Sequence, residues 1–391
     1  MTITHVPRLP EHAPVVIVGG GPVGAALALA LRGSAAAPLL LEARSTVAET
    51  DDSRFLALSF GSRLILERLG AWVAIEPHAT PIRHIEVTQH GGFGRTGLTA
   101  EEVGLSALGY VVRYRDLMRI LAAALDQQAS GVAVSGISAV RDYAVLDCSV
   151  DGEDRCVSTS LVVLADGGGQ VAAKGGFAAP RVRDYRQCAV VAWIELGQHH
   201  GHRAYERFTP FGPAALLPAE NGYSVVLTAP EAESRAIAAL SNEDFLARLH
   251  KIFGARVTGA MRCSQRAVFP VVLRYAQSVV GDRMVLVGNA AQALHPVAGQ
   301  GFNLGLRDAW ALAQLVRRTS FGAIGDRAML AEYRGQRARD RSATILATDS
   351  LVRIFSNDLQ WLQAARGSAL ATLDFSDAAK HFLMRRMMFG S

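Results

Sequence analysis

Three glycines at the spacing GxGxxG, Gly19, Gly21 and Gly24, follow directly on the apolar run Val15–Val18 and precede a helix-forming run from Val23 to Arg32. Strand, tight turn and helix in that order bind phosphate. The first glycine lets the chain turn, the second lets backbone approach a pyrophosphate, and the third lets the helix pack closely on its strand with its N-terminal amides facing the phosphates. A second apolar strand, Pro38–Leu41, ends at Glu42, about 18 residues past Gly24, where such folds place an acid that binds a ribose hydroxyl. Far along the chain, the segment from Gly281 to Ala309 repeats the logic. A strand, Met284–Val287, leads to Asn289, His295, Pro296 and Gly299-Gln300-Gly301, then to a helix from Phe302 or Asn303 to about Arg317. Glycines before a helix N-terminus allow backbone to approach a planar or anionic ligand, and the helix adds unpaired amides and a partial positive charge. The first set alone indicates a nucleotide. Both together indicate FAD, whose ring becomes negative at its pyrimidine end on reduction and is stabilised by such a dipole.

The elements that must position these loops are those of an α/β fold. Gly61–Leu69 and Asp116–Asp126 read as helices that cover a sheet. Leu161–Ala165 is a short buried strand ending at Asp166 and three glycines, and the ends of such strands are where open α/β sheets bind ligands. Gln187–Pro230 alternates, is rich in Tyr, Phe, Val and Pro, and carries the turn pair Asn221-Gly222, which predicts antiparallel sheet. The expected organisation is therefore discontinuous. A dinucleotide-binding domain takes residues 1–80, 110–180 and 270–345; a β-rich substrate domain takes 81–109 and 181–269; a helical C-terminal segment takes 346–391. Ala13–Leu31 carries no charge and is about long enough to span a bilayer, but its central glycines and Pro22 favour strand plus helix.

A chain of 391 residues with half of them hydrophobic buries a large core. The formal charge of +5 is spread without a Lys/Arg block, so the pI of 9.2 does not indicate nucleic acid. Four cysteines without CxxC pairs or His at metal spacing suit a reducing compartment and predict no metal. The first dozen residues lack a secretory apolar stretch, so a cytoplasmic location is expected, with peripheral contact at the inner membrane face as an open alternative.

With those residues in view, the sequence resembles the FAD-dependent aromatic-ring hydroxylases of the para-hydroxybenzoate hydroxylase fold, group A flavin monooxygenases. The landmarks run from about Val15 to Leu351: GGGPVG with Glu42, LADG at Asp166-Gly167, and GNAAQALHPVAGQGFN. The stretch RAYERFTPFGPAALLP, Arg203–Pro218, and DSRFLALS, Asp52–Ser59, are similar to the ubiquinone-biosynthesis branch, and most to the hydroxylases of 2-polyprenyl-6-methoxyphenol. The resemblance implies a Rossmann-like FAD-binding domain of the glutathione-reductase type, interleaved with an antiparallel substrate domain and followed by a helical C-terminus. It also implies a reaction: NAD(P)H reduces FAD transiently, O2 gives a flavin hydroperoxide, and one oxygen passes to the ring of a phenol. Other ubiquinone-biosynthesis proteins are implied as partners.

The resemblance places Arg54 beside the flavin and Asp166, Asn289, Pro296, Gly299, Gln300, Gly301, Phe302 and Asn303 around it. Three departures stand out. Asn289 and Gln292 replace the GDAAH pattern common in relatives, so the ribityl contact falls to a neutral amide that still hydrogen-bonds a hydroxyl. Asp166-Gly167 continues as Gly168-Gly169-Gln170 rather than into a serine and arginine pattern. The arginine common near the start of the Asp116 helix has no clean counterpart, with Arg115 the nearest.

Cofactor chemistry needs orientation and water exclusion rather than a side-chain nucleophile, so the catalytic groups expected are backbone at Pro296 and the titratable His295, a proton carrier or simply a histidine fixed by the fold. Tyr205, Phe211 and Pro213 are candidates to line the substrate site, with ordinary sheet packing as the alternative for each. Met384 to Phe389, with Arg385 and Arg386, forms a basic, apolar patch suited to a membrane or partner, or to a frayed terminal helix. Two alternatives stay open for function: FAD-dependent oxygenation of another aromatic substrate, and an FAD-bearing, non-catalytic subunit.

Overall fold

In the computed structural model, residues 9–45, 52, 54–126, 128–355 and 360–390 are described. The chain opens with β1 (His12–Val18), α1 (Pro22–Leu31) and β2 (Pro38–Glu42). Next come β3 (Phe55–Ser59), α2 (Phe60–Arg68), α3 (Trp72–Ile75), β4 (Ala79–Ile82), β5 (His84–Gln89), β6 (Arg95–Thr99), β7 (Gly109–Arg113) and α4 (Tyr114–Ala123). A second run holds β8 (Ala129–Ser130), β9 (Val132–Ala139), β10 (Ala144–Val150), β11 (Glu153–Leu164) and α5 (Gln170–Lys174). The third holds β12 (Arg181–Leu196), β13 (Arg203–Thr209), β14 (Gly212–Ala219), β15 (Gly222–Pro230), α6 (Glu231–Ala239), α7 (Asn242–Phe253), β16 (Ala260–Cys263) and β17 (Ala267–Tyr275). The chain closes with β18 (Val280–Gly281), β19 (Met284–Leu286), β20 (Gln292–Ala293), α8 (Gln300–Arg318), α9 (Arg327–Phe355), α10 (Gln360–Phe375) and α11 (Asp377–Phe389).

Three sheets result. The first has β8, β2, β1, β11 and β19 in parallel order. Its inner strands read as continuous apolar runs because helices cover both faces; Val15, Val16, Ile17 and Leu161 to Leu164 are fully buried. The second is nine-stranded, with β5, β6 and β20 joining β12 to β17. It is antiparallel except where β13 runs parallel to β5, a pairing that joins segments far apart in sequence and that hairpin signals alone do not reveal. The Asn221-Gly222 signal marks the β14–β15 connection, where Glu220 takes φ 55°. β3, β7 and β4 form a small third sheet.

Two boundaries differ from the sequence expectation. β11 has 12 residues because its outer half pairs with the antiparallel β10, whereas only its buried end shows as an apolar run. α4 begins at Tyr114 with Arg113 at the N-cap, its side chain turned to Glu220 rather than capping the helix, two residues before the polar Asp116. The uncharged stretch near the N-terminus is divided between β1 and α1. Among the described residues, no helix is long and apolar enough to cross a membrane.

Candidate functional site

A cavity of about 1090 Å³ runs between the first and second sheets, at or above the upper end of ordinary small-molecule pockets, roughly 300–1,000 Å³. At one end stand the three N-terminal glycines, each placed for a different reason. Gly19 has φ +110°, and a Cβ there would lie 2.6 Å from the Ala165 carbonyl carbon, so only glycine lets β1 turn beside β11. A Cβ on Gly24 would lie 2.0 Å from the Gly19 oxygen, so the third glycine packs helix on turn and does not line the cavity. Gly21 lines it, and nothing stands within 4 Å of its would-be Cβ. No side chain caps α1 and no acid occupies its first turn, which leaves amides and dipole for an anion. Space at Gly21, an uncapped helix start and an acid on the next strand are the features a dinucleotide requires.

That acid, Glu42, is 6% exposed at the end of β2. It accepts from the Gly20 amide at 2.7 Å and from Arg44 Nε at 2.8 Å. Burial pushes its carboxyl up, but the bonds from Arg44 and Gly20 outweigh burial and hold it below the ordinary glutamate value. Arg44 also lines the cavity. Sequence reasoning missed it, although a basic residue two positions past the ribose acid was visible.

The other glycine-rich loop forms the facing wall. Asn289, His295, Pro296, Gly299, Gly301 and Phe302 line the cavity. Gly299 has φ +59°, and a Cβ there would meet that of Ala57 at 2.9 Å, while Gly301 faces open space. α8 also begins without a side-chain cap. Asp166 lines the wall and accepts from the amides of Gly169 and Val171, both at 3.2 Å. Arg274 braces this region by donating to the Gly167 carbonyl at 2.8 Å and the Asn289 carbonyl at 3.1 Å. Arg54 lines the cavity, pairs with Asp52 at 2.5 Å and lies 4.6 Å from the centre of the Phe269 ring; its neighbour Ser53 lies outside the described residues.

His295 is fully buried. Its Nδ1 accepts from the Val297 amide at 3.0 Å, which assigns the ring proton to Nε2, and Nε2 has no partner among the described residues. Burial lowers its pKa to about 4, so the ring is neutral in a neutral solution.

Four expected site residues lie elsewhere. Arg115 is exposed on the first turn of α4 and does not line the cavity; the earlier helix start turns Tyr114 inward instead. Gln300 points toward α11, donating to the Met387 carbonyl at 3.4 Å. The Asn303 amide is consumed by structure: Oδ1 accepts from Ser59 N and Ser62 Oγ, and Nδ2 donates to the Ala57 and Gly299 carbonyls. Phe211 is 49% exposed at the β13–β14 turn, where its carbonyl accepts from Gln187.

One face of the nine-stranded sheet forms the remaining wall. Residues of alternate parity, Ala204, Glu206 and Phe208 on β13 with Pro213, Ala215 and Leu217 on β14, line the cavity. Tyr205 also touches it, but its ring packs on the other side, 6.1 Å from Tyr223 and beneath Arg256. Leu351, Leu370, Leu373, Leu383 and Met387 extend the wall from the C-terminal helices. α11 is docked rather than frayed, with Met384 and Met388 buried and Phe389 edge-on to Phe60 at 6.2 Å. Neither Glu206 nor this helical wall was among the sequence candidates; a lone acid between Ala204 and Phe208 on one strand parity was the available signal.

Away from the cavity, His199, His200 and His202 bring ring nitrogens within 4.8 Å of one another. Local backbone engages them. His199 Nδ1 and His200 Nδ1 accept from the Gly201 and His202 amides at 3.0 Å, and His200 Nε2 meets the Glu220 carbonyl at 3.0 Å. They shape the β12–β13 connection.

Comparison with known proteins agrees with this geometry. Residues 12–346 match the model of a family described as FAD binding domain. A protein named ubiquinone hydroxylase UbiL from Rhodospirillum rubrum is 32% identical, over 96% of this chain and 89% of its own. The 3-demethoxyubiquinol 3-hydroxylase of Escherichia coli is 30% identical over 94% of this chain and 96% of its own. Among solved structures, p-nitrophenol 4-monooxygenase PnpA from Pseudomonas putida superposes with a TM-score of 0.77 at 18% identity, over 97% of this chain and 99% of that one. An FAD complex of Klebsiella pneumoniae HpxO does so with the same score and identity, over 97% and 99%.

Proposed function

Because the chain belongs to the FAD-binding family of flavoprotein hydroxylases, we propose that it hydroxylates the aromatic ring of a polyprenyl phenol in ubiquinone biosynthesis, consuming NAD(P)H and O2. The observation that carries the substrate class is the cavity itself. It is continuous from the Gly19–Gly21 turn to the apolar side chains of Leu370, Leu373 and Leu383, which offers one end to a dinucleotide and the other to a long hydrocarbon chain. Burial of such a chain is worth about 0.8 kcal/mol per CH2.

The residues divide the work. Gly19, Gly21 and the α1 amides hold the pyrophosphate, and Glu42, kept ionised by Arg44, binds a ribose hydroxyl. Asp166 and Asn289 would hold the part of the cofactor between its phosphates and its ring system, the Asn289 amide bonding a hydroxyl. Gly299, Gly301 and the start of α8, with Pro296, Phe302 and Arg54, would hold the ring system and supply backbone amides and dipole to the negative charge it gains on reduction. When bound, FAD supplies the transfer of electrons from NAD(P)H to O2 and of one oxygen atom to the substrate. The protein's part is to orient the phenol, exclude water from an apolar cavity and control protons.

The test is direct. FAD-loaded protein given NADH or NADPH, O2 and a 2-prenylated phenol should yield a product one oxygen heavier, and the gene should restore quinone synthesis in a strain lacking one ubiquinone ring hydroxylase. NAD(P)H oxidation that yields only peroxide, with no strain restored, would favour a non-catalytic role instead.

A further inference from the structure

Glu206 stands in the middle of β13, and its cross-strand neighbours are Val87 on β5 and Ala215 on β14. Ala204 and Phe208 precede and follow it on the same face of the sheet. The wall around this carboxyl is therefore hydrocarbon. The part of Glu206 that is accessible opens on the cavity, and among the described residues no hydrogen bond or ion pair to another side chain engages it. The polar side chains on the same face are hydroxyls, and those of Thr96 and Thr228, almost wholly buried, also lack a partner among the described residues. A carboxyl placed in hydrocarbon without a partner destabilises the fold, and such groups mark sites that meet a ligand.

We propose that the Glu206 carboxyl holds the ring hydroxyl of the phenol and takes up its proton during oxygen transfer. This assignment rests on the phenol-hydroxylase reading above and adds the group that recognises and activates the substrate. The phenol O–H bond breaks as an oxygen of the Glu206 carboxylate, the form that prevails above about pH 8, gains the proton, and the electron pair left on the phenol oxygen enriches the ring. A ring carbon then forms the new C–O bond as the O–O bond of O2, reduced by two electrons from NAD(P)H, breaks. The proton that carbon loses when aromaticity returns goes to the second oxygen, which leaves as water, and Glu206 gives its own proton back to the phenol oxygen. Burial alone pushes the carboxyl up to about 8, toward the value of a phenol, about 10. Groups so matched share a proton efficiently.

The experiment uses FAD-loaded full-length protein with 2-geranylphenol and its methyl ether, and reads binding from the flavin absorbance change as well as turnover. Wild type should bind the phenol at least tenfold more tightly than the ether, as a hydrogen bond to an ionisable group gives. Glu206→Ala should bring that ratio near one, and both Glu206→Ala and Glu206→Gln should lower kcat/KM about a hundredfold or more with FAD content unchanged. Glu206→Gln, isosteric and uncharged, guards against a folding defect. An unchanged phenol-to-ether ratio in Glu206→Ala, or wild-type kcat/KM in Glu206→Gln, overturns the proposal. If wild type discriminates phenol from ether and Glu206→Ala does not, yet no oxygen is inserted, the reaction reading fails while the recognition role of Glu206 stands.

Discussion

The Ser59 backbone amide donates to the side-chain oxygen of Asn303 at 2.8 Å, across 244 residues of sequence. With Ser62 Oγ on the same oxygen and the Ala57 and Gly299 carbonyls on the amide nitrogen, Asn303 uses its whole hydrogen-bonding capacity to pin β3 and α2 against the start of α8. The second glycine-rich loop is held in register with Ala57 by this one amide. Asn303→Leu should therefore lower stability by on the order of 3 kcal/mol, since buried partners are left unsatisfied, and weaken FAD binding as a consequence. Chemical denaturation of the apoprotein measures the first effect independently of the second.

Two glycines of one motif should behave oppositely. Gly24→Ala places a methyl 2.0 Å from the Gly19 oxygen, so the apoprotein itself should lose stability. Gly21→Ala meets no protein atom within 4 Å and has φ −63°, open to any residue. It should melt like wild type without cofactor and yet bind FAD more weakly. Apoprotein melting and FAD titration of both variants separate the two roles.

Stability should depend on pH through Glu206. Its folded value, about 8, lies above the unfolded value near 4.5, so the folded chain holds the extra proton between the two. Stability is then fully present below the lower value and is lost as pH rises toward the higher. Glu206→Gln lacks this loss. At pH 8 to 9 it should be more stable than wild type by up to a few kcal/mol, with the gap closing below pH 4.5; melting curves across that range show whether it does.

A buried ionic network fastens α8 to α9. Arg337 donates to Asp308 at 2.8 Å and to Asp340 at 2.6 Å, Gln292 donates to Asp308 at 2.6 Å, and Arg341 donates to Gln292 at 2.9 Å. Gln292, one of the departures from the pattern of relatives, thus has a structural partner set of its own. Arg337→Met leaves the buried Asp308 without its ion-pair partner, while Asp340 keeps Arg307 at 2.8 Å, and should cost about 3–5 kcal/mol. Urea unfolding of the variant measures it, and a loss below 1 kcal/mol would contradict the geometry.

The apolar end of the cavity makes a prediction about chain length. Leu373→Arg introduces a charge into a wall otherwise built from Leu370, Leu383 and Met387. KM for a long-chain prenyl phenol should rise roughly tenfold or more, while a phenol without the chain should be little affected. Steady-state kinetics with the two substrates gives the contrast.

What the sequence disclosed and what it hid follow from the range of the interactions. The turn at Gly19 to Gly24, the acid at Glu42 and the loop at Gly299 to Gly301 are local arrangements whose residue types are set by neighbours a few positions away, and Gly19, Gly21, Glu42, Gly299 and Gly301 all reach the cavity. Arg115 went astray because α4 starts at Tyr114, and a two-residue shift rotates a helix by more than half a turn. Phe211 went astray because a hairpin tip took it out of the sheet face that carries Phe208. Glu206 and the helical wall were hidden for a different reason. Their surroundings come from Val87, Ala215 and the last thirty residues, and no spacing rule connects them.

The cavity draws its walls from both extremes of the polypeptide, Gly19 at one end and Met387 at the other. During synthesis the dinucleotide cradle is complete before the hydrocarbon end is, because α10 and α11 emerge after α8. A nascent chain can therefore take up its cofactor in an open half-site, and only the docking of α11 seals the compartment in which a phenol is shielded from water. Premature stops after residue 355 should yield proteins that are yellow but leaky, reducing oxygen to peroxide.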